Sequence, residues 1–231
     1  MNINMDDIPV NQGGRRLPIY LLLDCSASMA GAPIQAVQVG VETFAREVRQ
    51  DPFALDTVHV GIITFASTAQ MVTNGLVPID RFQPPQLSAW GGTSLGAALR
   101  LLQQSLDRDL RVKKTTEDKK ADWKPIVYIL TDGEPTDEWK GPQSEILKRR
   151  SQGKVFEIIT VGCGPRVNEE TLKDISTGLT FRMDDDDASF KKFFQWVSMS
   201  VRTVSRSVSQ PGGGKIVNLP RPDPTVIQYI P

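Results

Sequence analysis

The stretch LLLDCSASMAG, residues 21–31, sets an unbroken apolar run against an acid, Asp24, followed at alternate positions by Ser26 and Ser28 in a turn of small residues. A short continuous apolar run closed by turn residues reads as a strand buried on both faces. A core has no use for a lone carboxylate, so Asp24 belongs where the strand leaves the core, at its carboxyl end. In the segment GAPIQAVQVGVETFAREV (31–48), Ile34, Val37, Val41, Phe44, Ala45 and Val48 keep helical spacing, and Pro33 suits a first helical turn. The unit is strand, loop, helix.

The same alternation continues along the chain. VHVGIITF (58–65) reads as a second buried strand, and AQMVTNGLVPI (69–79) as a third that pairs antiparallel with it across the turn at 66–68, making an edge. After the Pro-rich loop RFQPPQLSAWGG (81–92), Leu95, Ala98, Leu99, Leu102 and Leu106 form a helical stripe, with Thr93 or Ser94 as its N-cap. PIVYILTDGEPTDEW (125–139) and KVFEIITVGCG (154–164) begin with further apolar strands, the first ending in Thr131 and Asp132. Phe190, Phe193, Phe194, Val197, Val201 and Val204 predict a long amphipathic helix.

The expected fold class is therefore α/β: a three-layer α/β/α, doubly wound, mostly parallel sheet with one antiparallel edge strand. The expected organisation is an extension over 1–14, one domain over 15–208, and a Gly/Pro-rich linker with an extended tail over 209–231. The apolar residues Ile216, Val217, Ile227, Tyr229 and Ile230 leave two outcomes for that tail, docking on a partner or second copy and a solvated end.

Composition limits the functions. Lys plus Arg and Asp plus Glu are 27 each, so no overall charge suggests nucleic acid or an anionic membrane surface. The segment RVKKTTEDKK (111–120) interleaves its charges and reads as a solvated loop. No run approaches the about eighteen apolar residues of a spanning helix, and MNINMDDIPVNQGGRRLP (1–18) has no signal-peptide apolar segment, so a cytoplasmic protein is expected. Cys25 and Cys163 form no metal-ligand cluster. Their strands, separated by one other, would lie about 9–10 Å apart, beyond the ~7 Å Cα limit for a bridge, so two small buried thiols are expected.

In a doubly wound sheet, ligands bind beyond the carboxyl ends of the strands. Asp24, Asp132 and the WGGTS loop (90–94) then share one rim. Two carboxylates brought together repel unless a cation lies between them. Magnesium prefers oxygen ligands and keeps some of its waters, so Asp24, Ser26, Ser28, Thr93 and Asp132 form a plausible ligand set. Taken singly, the hydroxyl residues would be read as caps; taken together with the two acids, they read as a metal site. Glu134 and Asp137 either shape this rim or belong to the polar turn into the next helix. DDDD (184–187) is better read as complementing a helix dipole than as a calcium or partner site.

These residues carry a resemblance. DCSAS (24–28) resembles the Asp-x-Ser-x-Ser signature of the metal-ion-dependent adhesion site of von Willebrand factor type A domains, with Thr93 matching the single threonine and Asp132 the distal aspartate. The resemblance covers roughly residues 15–208 and implies a Rossmann-like type A fold. It also implies a metal held by the two serines and the threonine directly and by the aspartates directly or through water, with a partner's acidic group completing the shell. KADWKPIVYILTDGEPTD, ITVGCGPRVNEETL and ASFKKFFQWVSMSV are similar to the TerY group of the bacterial tellurite-resistance systems. That similarity implies an adaptor, with other tellurium-resistance proteins, a protein kinase or a 2C-type phosphatase as partners. Cys25 stands where the motif usually has glycine or another residue.

The expected function is a Mg2+-dependent protein-binding module, with Mn2+ or Ca2+ as substitutes, rather than an enzyme. The alternative is a metal-dependent phosphatase or phosphotransferase using Asp24 as nucleophile, but the position two residues on, where a haloacid-dehalogenase-like enzyme has its second acid, is Ser26. GGGKIV (212–217) lacks the P-loop spacing, no G-x-S-x-G occurs, and the one histidine, His59, lies inside a strand pattern.

Overall fold

β1 (Leu17–Asp24) is buried along its whole length, and its side chains divide by parity between two faces. Leu17, Ile19, Leu21 and Leu23 enter a core shared with α1 (Ala32–Arg49) and α6 (Asp187–Ser209). Tyr20 and Leu22 enter a second core shared with α3 (Leu95–Asp109), Ile146 of α4 (Lys140–Ser151) and Ile175 of α5 (Glu169–Ile175). One strand feeding two hydrophobic layers makes the three-layer α/β/α arrangement. This computed structural model describes residues 14–111, 121–151, 156–210 and 219–231, without the side chains of 150 and 151. Nearly all of the 1–14 extension, RVKKTTEDKK beyond Arg111, and Ile216 and Val217 lie outside the described residues.

β2 (Val58–Phe65) and β5 (Ile126–Thr131) flank β1 in parallel register, Leu23 pairing with Thr64 on one side and Leu130 on the other. β6 (Glu157–Cys163) and β7 (Leu179–Met183) continue the parallel set. β3 (Ala69–Met71) and β4 (Val77–Pro78) pair antiparallel with β2, and β8 (Gln228–Tyr229) pairs antiparallel with β7. The order is β3-β2-β1-β5-β6-β7-β8, with β4 also on β2. The carboxyl ends of β1, β5 and β6 therefore lie side by side.

The predicted helical stripes are the buried ones: every apolar position singled out on α1, α3 and α6 is in the core. Four features differ from the sequence reading or were absent from it. AQMVTNGLVPI is two short strands, because the Ile62 amide donates to Thr73 Oγ1 at 3.1 Å and Gly75 turns the chain at φ +66°. The helix α2 (Pro52–Thr57) precedes β2, its first amides held by the Asp51 carboxylate. β7 is only five residues long, with the exposed Arg182 inside it.

The fourth feature is the end of the chain. Docking on a partner or second copy and solvation were the two outcomes left open, and residues 219–231 instead return to their own domain. Ile227 and Ile230 are buried, the Ile230 amide donates to Thr180 O at 2.9 Å, and Trp196 Nε1 donates to Pro220 O at 2.8 Å. Tyr229 packs edge-on to Phe181 at 5.8 Å. Burying two isoleucines and pairing the edge of β7 outweighs the freedom lost by the segment.

Candidate metal centre

Three loops meet at the rim through backbone contacts. Cys25 N donates to Phe65 O at 2.8 Å, Trp90 N to Cys25 O at 2.8 Å and Ala27 N to Gly91 O at 3.0 Å. Gly91 has φ +68°, and a Cβ there would overlap Ser67 Oγ, so glycine is required. Ser67 Oγ accepts from Gly92 N at 3.0 Å. Thr93 and Thr136 are doubly joined: Thr93 N donates to Thr136 Oγ1 at 3.0 Å and Thr136 N to Thr93 O at 2.9 Å.

Of the two residues expected at the cap of α3, Thr93 and Ser94, the structure has Ser94 there. Its hydroxyl makes no cap hydrogen bond and donates instead to Ser67 O at 2.9 Å. The helix amides Gly96 N and Ala97 N donate to the Asp137 carboxylate. Between the alternatives left open for Asp137, it holds the loop that carries Thr93. In the acidic run, Asp186 caps α6 by accepting from Ser189 N at 2.8 Å, as the helix-terminus reading expects.

On this frame the acids and alcohols converge. Asp24, fully buried, accepts from Ser26 N at 2.8 Å through Oδ1 and from Thr131 Oγ1 at 2.5 Å through Oδ2. Ser28 Oγ donates to Asp132 Oδ1 at 2.7 Å and lies 2.9 Å from Ser26 Oγ. These contacts join the three side chains in a line, Ser26 to Ser28 to Asp132. The Thr93 hydroxyl stands 3.8 Å from where a Cβ on Gly133 would be, beside Asp132, and among the described residues it takes no part in that line. Four of the five candidate residues are thus in one cluster, and the fifth borders it.

Burial raises the Asp24 carboxyl above its usual value; hydrogen bonds from Ser26 and Thr131 oppose this, and the nearby Asp132 carboxylate adds to it. A divalent cation would relieve both the burial and the repulsion. Among the described residues no group of three or more His, Cys, Asp or Glu gathers as a metal site; the donors here are hydroxyls and two carboxylates, a hard-oxygen set suited to magnesium, calcium or manganese. The residues present fit such an ion.

Sequence reasoning missed three participants. Thr131 precedes Asp132, and its hydroxyl reaches Asp24 because the two strands are neighbours. Thr136 lies inside a polar turn that gives no sign of its partner. Arg166, in the loop after β6, donates from a terminal guanidinium nitrogen to Asp132 Oδ2 at 2.8 Å; nothing local marks it among other loop arginines. The thiols are separate: Cys25 and Cys163 are free and buried, with β5 between their strands. Among the described residues no helix is long and apolar enough to cross a membrane.

The fold is shared with solved proteins. The pilus adhesin SpaC from Lactobacillus rhamnosus GG, in an open conformation, superposes with a TM-score of 0.62 at 17% identity, covering 83% of this chain and 30% of that one. A von Willebrand factor type A protein from Catenulispora acidiphila gives 0.55 at 19%, covering 82% and 43%. Proximal thread matrix protein 1 from the mussel byssus, with a zinc-occupied MIDAS motif, gives 0.54 at 20%, covering 83% and 46%. The chain thus spans less than half the length of each of these structures. Residues 19–196, from the third residue of β1 to the middle of α6, match the sequence profile of the von Willebrand factor type A domain, and the chain belongs to that family.

Proposed function

We propose that the chain is a divalent-cation-dependent protein-binding module and not an enzyme. Asp24, Ser26, Ser28, Thr93 and Asp132 would hold the ion, with magnesium preferred and manganese or calcium as substitutes. The ion supplies an electrophilic position for an Asp or Glu carboxylate of a partner protein. The observation that carries this reading is the convergence of the buried Asp24 and Asp132 carboxylates on Ser26 and Ser28. Type A domains typically act as metal-dependent interaction modules, and the zinc-occupied MIDAS motif of the mussel protein supports the same use of the site.

Asp24 reads as a ligand rather than a nucleophile, since Ser26 stands where a phosphatase of that type would carry its second acid. The loops carrying Ser28, Trp90 and Glu134 would read the partner's surroundings. The finer assignment is to the tellurite-resistance type, resembling the TerY group: a cytoplasmic adaptor whose partners are other tellurium-resistance proteins, a protein kinase or a 2C-type phosphatase. It rests on the three segments quoted above.

Titration calorimetry with Mg2+ and Mn2+ on wild type and Asp24→Ala, with pull-downs in the presence and absence of chelator, tests the reading. Loss of the ion in the variant, with loss of the same partner in the variant and in chelator, supports it. A partner retained without the ion rejects it.

A further inference from the structure

We propose that Arg166 is a tethered counter-cation for Asp132, which offsets one of the two carboxylate charges at the rim whenever the divalent ion is absent and sets how tightly that ion binds. The proposal rests on the metal-site reading above and concerns a residue outside its ligand set.

Arg166 is built into place. On one side Gly164 turns the chain at φ +80° and its amide donates to Met183 O at 2.9 Å. On the other, Val167 packs over Gly162 so closely that a Cβ there would overlap its Cγ1. Asn168 follows, capping α5 by accepting from Thr171 N at 3.1 Å and donating to Glu134 Oε1 at 3.1 Å. A side chain flanked by these anchors is aimed rather than free.

The contact is unlike an ordinary surface ion pair. The Asp132 side chain is 4% exposed while Arg166 is 59% exposed, so one partner is a buried anion and the other reaches in from solvent. Exposed pairs contribute little, but a buried carboxylate without a cation is costly. With Asp24 and Asp132 both ionised, Arg166 halves the formal negative charge of the cluster. An arginine is a fixed rather than a switchable charge, so the compensation is permanent. A divalent ion approaching Asp132 must therefore compete with, or bind beside, a fixed positive charge. The guanidinium engages Asp132 through one terminal nitrogen, which leaves it further donors at the rim.

A purely structural role and a counter-cation role predict opposite signs. Removing a structural prop loosens the cluster and weakens ion binding; removing a competing charge strengthens it. The test is calorimetric titration with Mn2+ and Mg2+, and thermal melting in chelator, on the full chain as wild type, Arg166→Ala, Arg166→Lys, Asp132→Asn and the Arg166→Ala, Asp132→Asn double variant. Arg166→Ala is expected to bind Mn2+ about three- to tenfold more tightly at low salt, with the gain shrinking as salt is added, and to melt lower in chelator. Arg166→Lys should stay near wild type in both, and adding Arg166→Ala to Asp132→Asn should leave the melt unchanged. Unchanged or weaker ion binding in Arg166→Ala, with wild type binding normally, overturns this proposal alone. Failure of wild type to bind either ion overturns the metal-site reading and this proposal together.

Discussion

Asp137, on the loop after β5, closes the amino terminus of α3: its Oδ1 accepts from Gly96 N and its Oδ2 from Ala97 N, each at 2.8 Å. The cap comes from a different segment than the helix, so it fixes the junction of Thr93 and Thr136 as well as the helix end. Asp137→Ala should cost about 1–2 kcal/mol in chemical denaturation and weaken Mn2+ binding in calorimetry. Gly96→Ala should cost more, because its Cβ would overlap Glu138 O, a backbone atom unable to move aside.

Gly40 lies where α1 crosses α6, and a Cβ there would overlap the ring of the buried Phe194. Helix propensity alone favours Gly→Ala by about 1 kcal/mol, but overpacking costs about 1–3 kcal/mol. Packing should win, and Gly40→Ala is expected to lower the thermal midpoint. A rise would show that Phe194 repacks freely.

The returning C-terminal segment is held by buried Ile227 and Ile230. Ile227→Ala should lose about 2–5 kcal/mol in urea denaturation, and ending the chain before residue 219 should lose at least as much. That truncation should also shift Trp196 fluorescence toward the red as its ring edge becomes wet.

His59, the one histidine, is held below its ordinary value of 6.5, chiefly by burial and further by Arg16 and Arg111, against the opposing Thr57 carbonyl and Asp122. The folded state prefers the neutral ring. Its contribution to stability is therefore present above 6.5 and is lost as pH falls through the lower folded value. An NMR titration of this single imidazole should give a midpoint below 6.5, and His59→Gln should flatten the stability loss on acidification.

Burial pushes the Cys25 thiol up to about 12, with the Asp24 charge adding to it, and raises Cys163 well above the usual range. Both should resist a thiolate-directed alkylating reagent in the native protein and react in urea. Labelling of Cys25 under native conditions would show that the loop at 86–90 opens.

The elements legible in the sequence are those whose burial is continuous. β1, β2, β5 and β6 each hold a long apolar run because a central parallel strand is covered on both faces, and α1, α3 and α6 each show a full apolar stripe. β7 and β8 were not legible, being too short for a period to show, and AQMVTNGLVPI concealed a break that depends on Thr73 and Gly75. At the rim, Asp24, Ser26, Ser28 and Asp132 could be read because their spacing is local and they close predicted strands. Arg166, Thr136 and the cap from Asp137 act across segments far apart in the chain, and no local pattern records such a pairing.

At its two margins the sheet ends in the three-residue β3 and the two-residue β8. Strips this short expose few unpaired amides and carbonyls, so they make poor templates for another strand. The last residues of the chain therefore serve as a selvedge: by occupying the flank of β7 they should keep crowded copies from zipping together side by side. Losing them should show first as turbidity in concentrated solution.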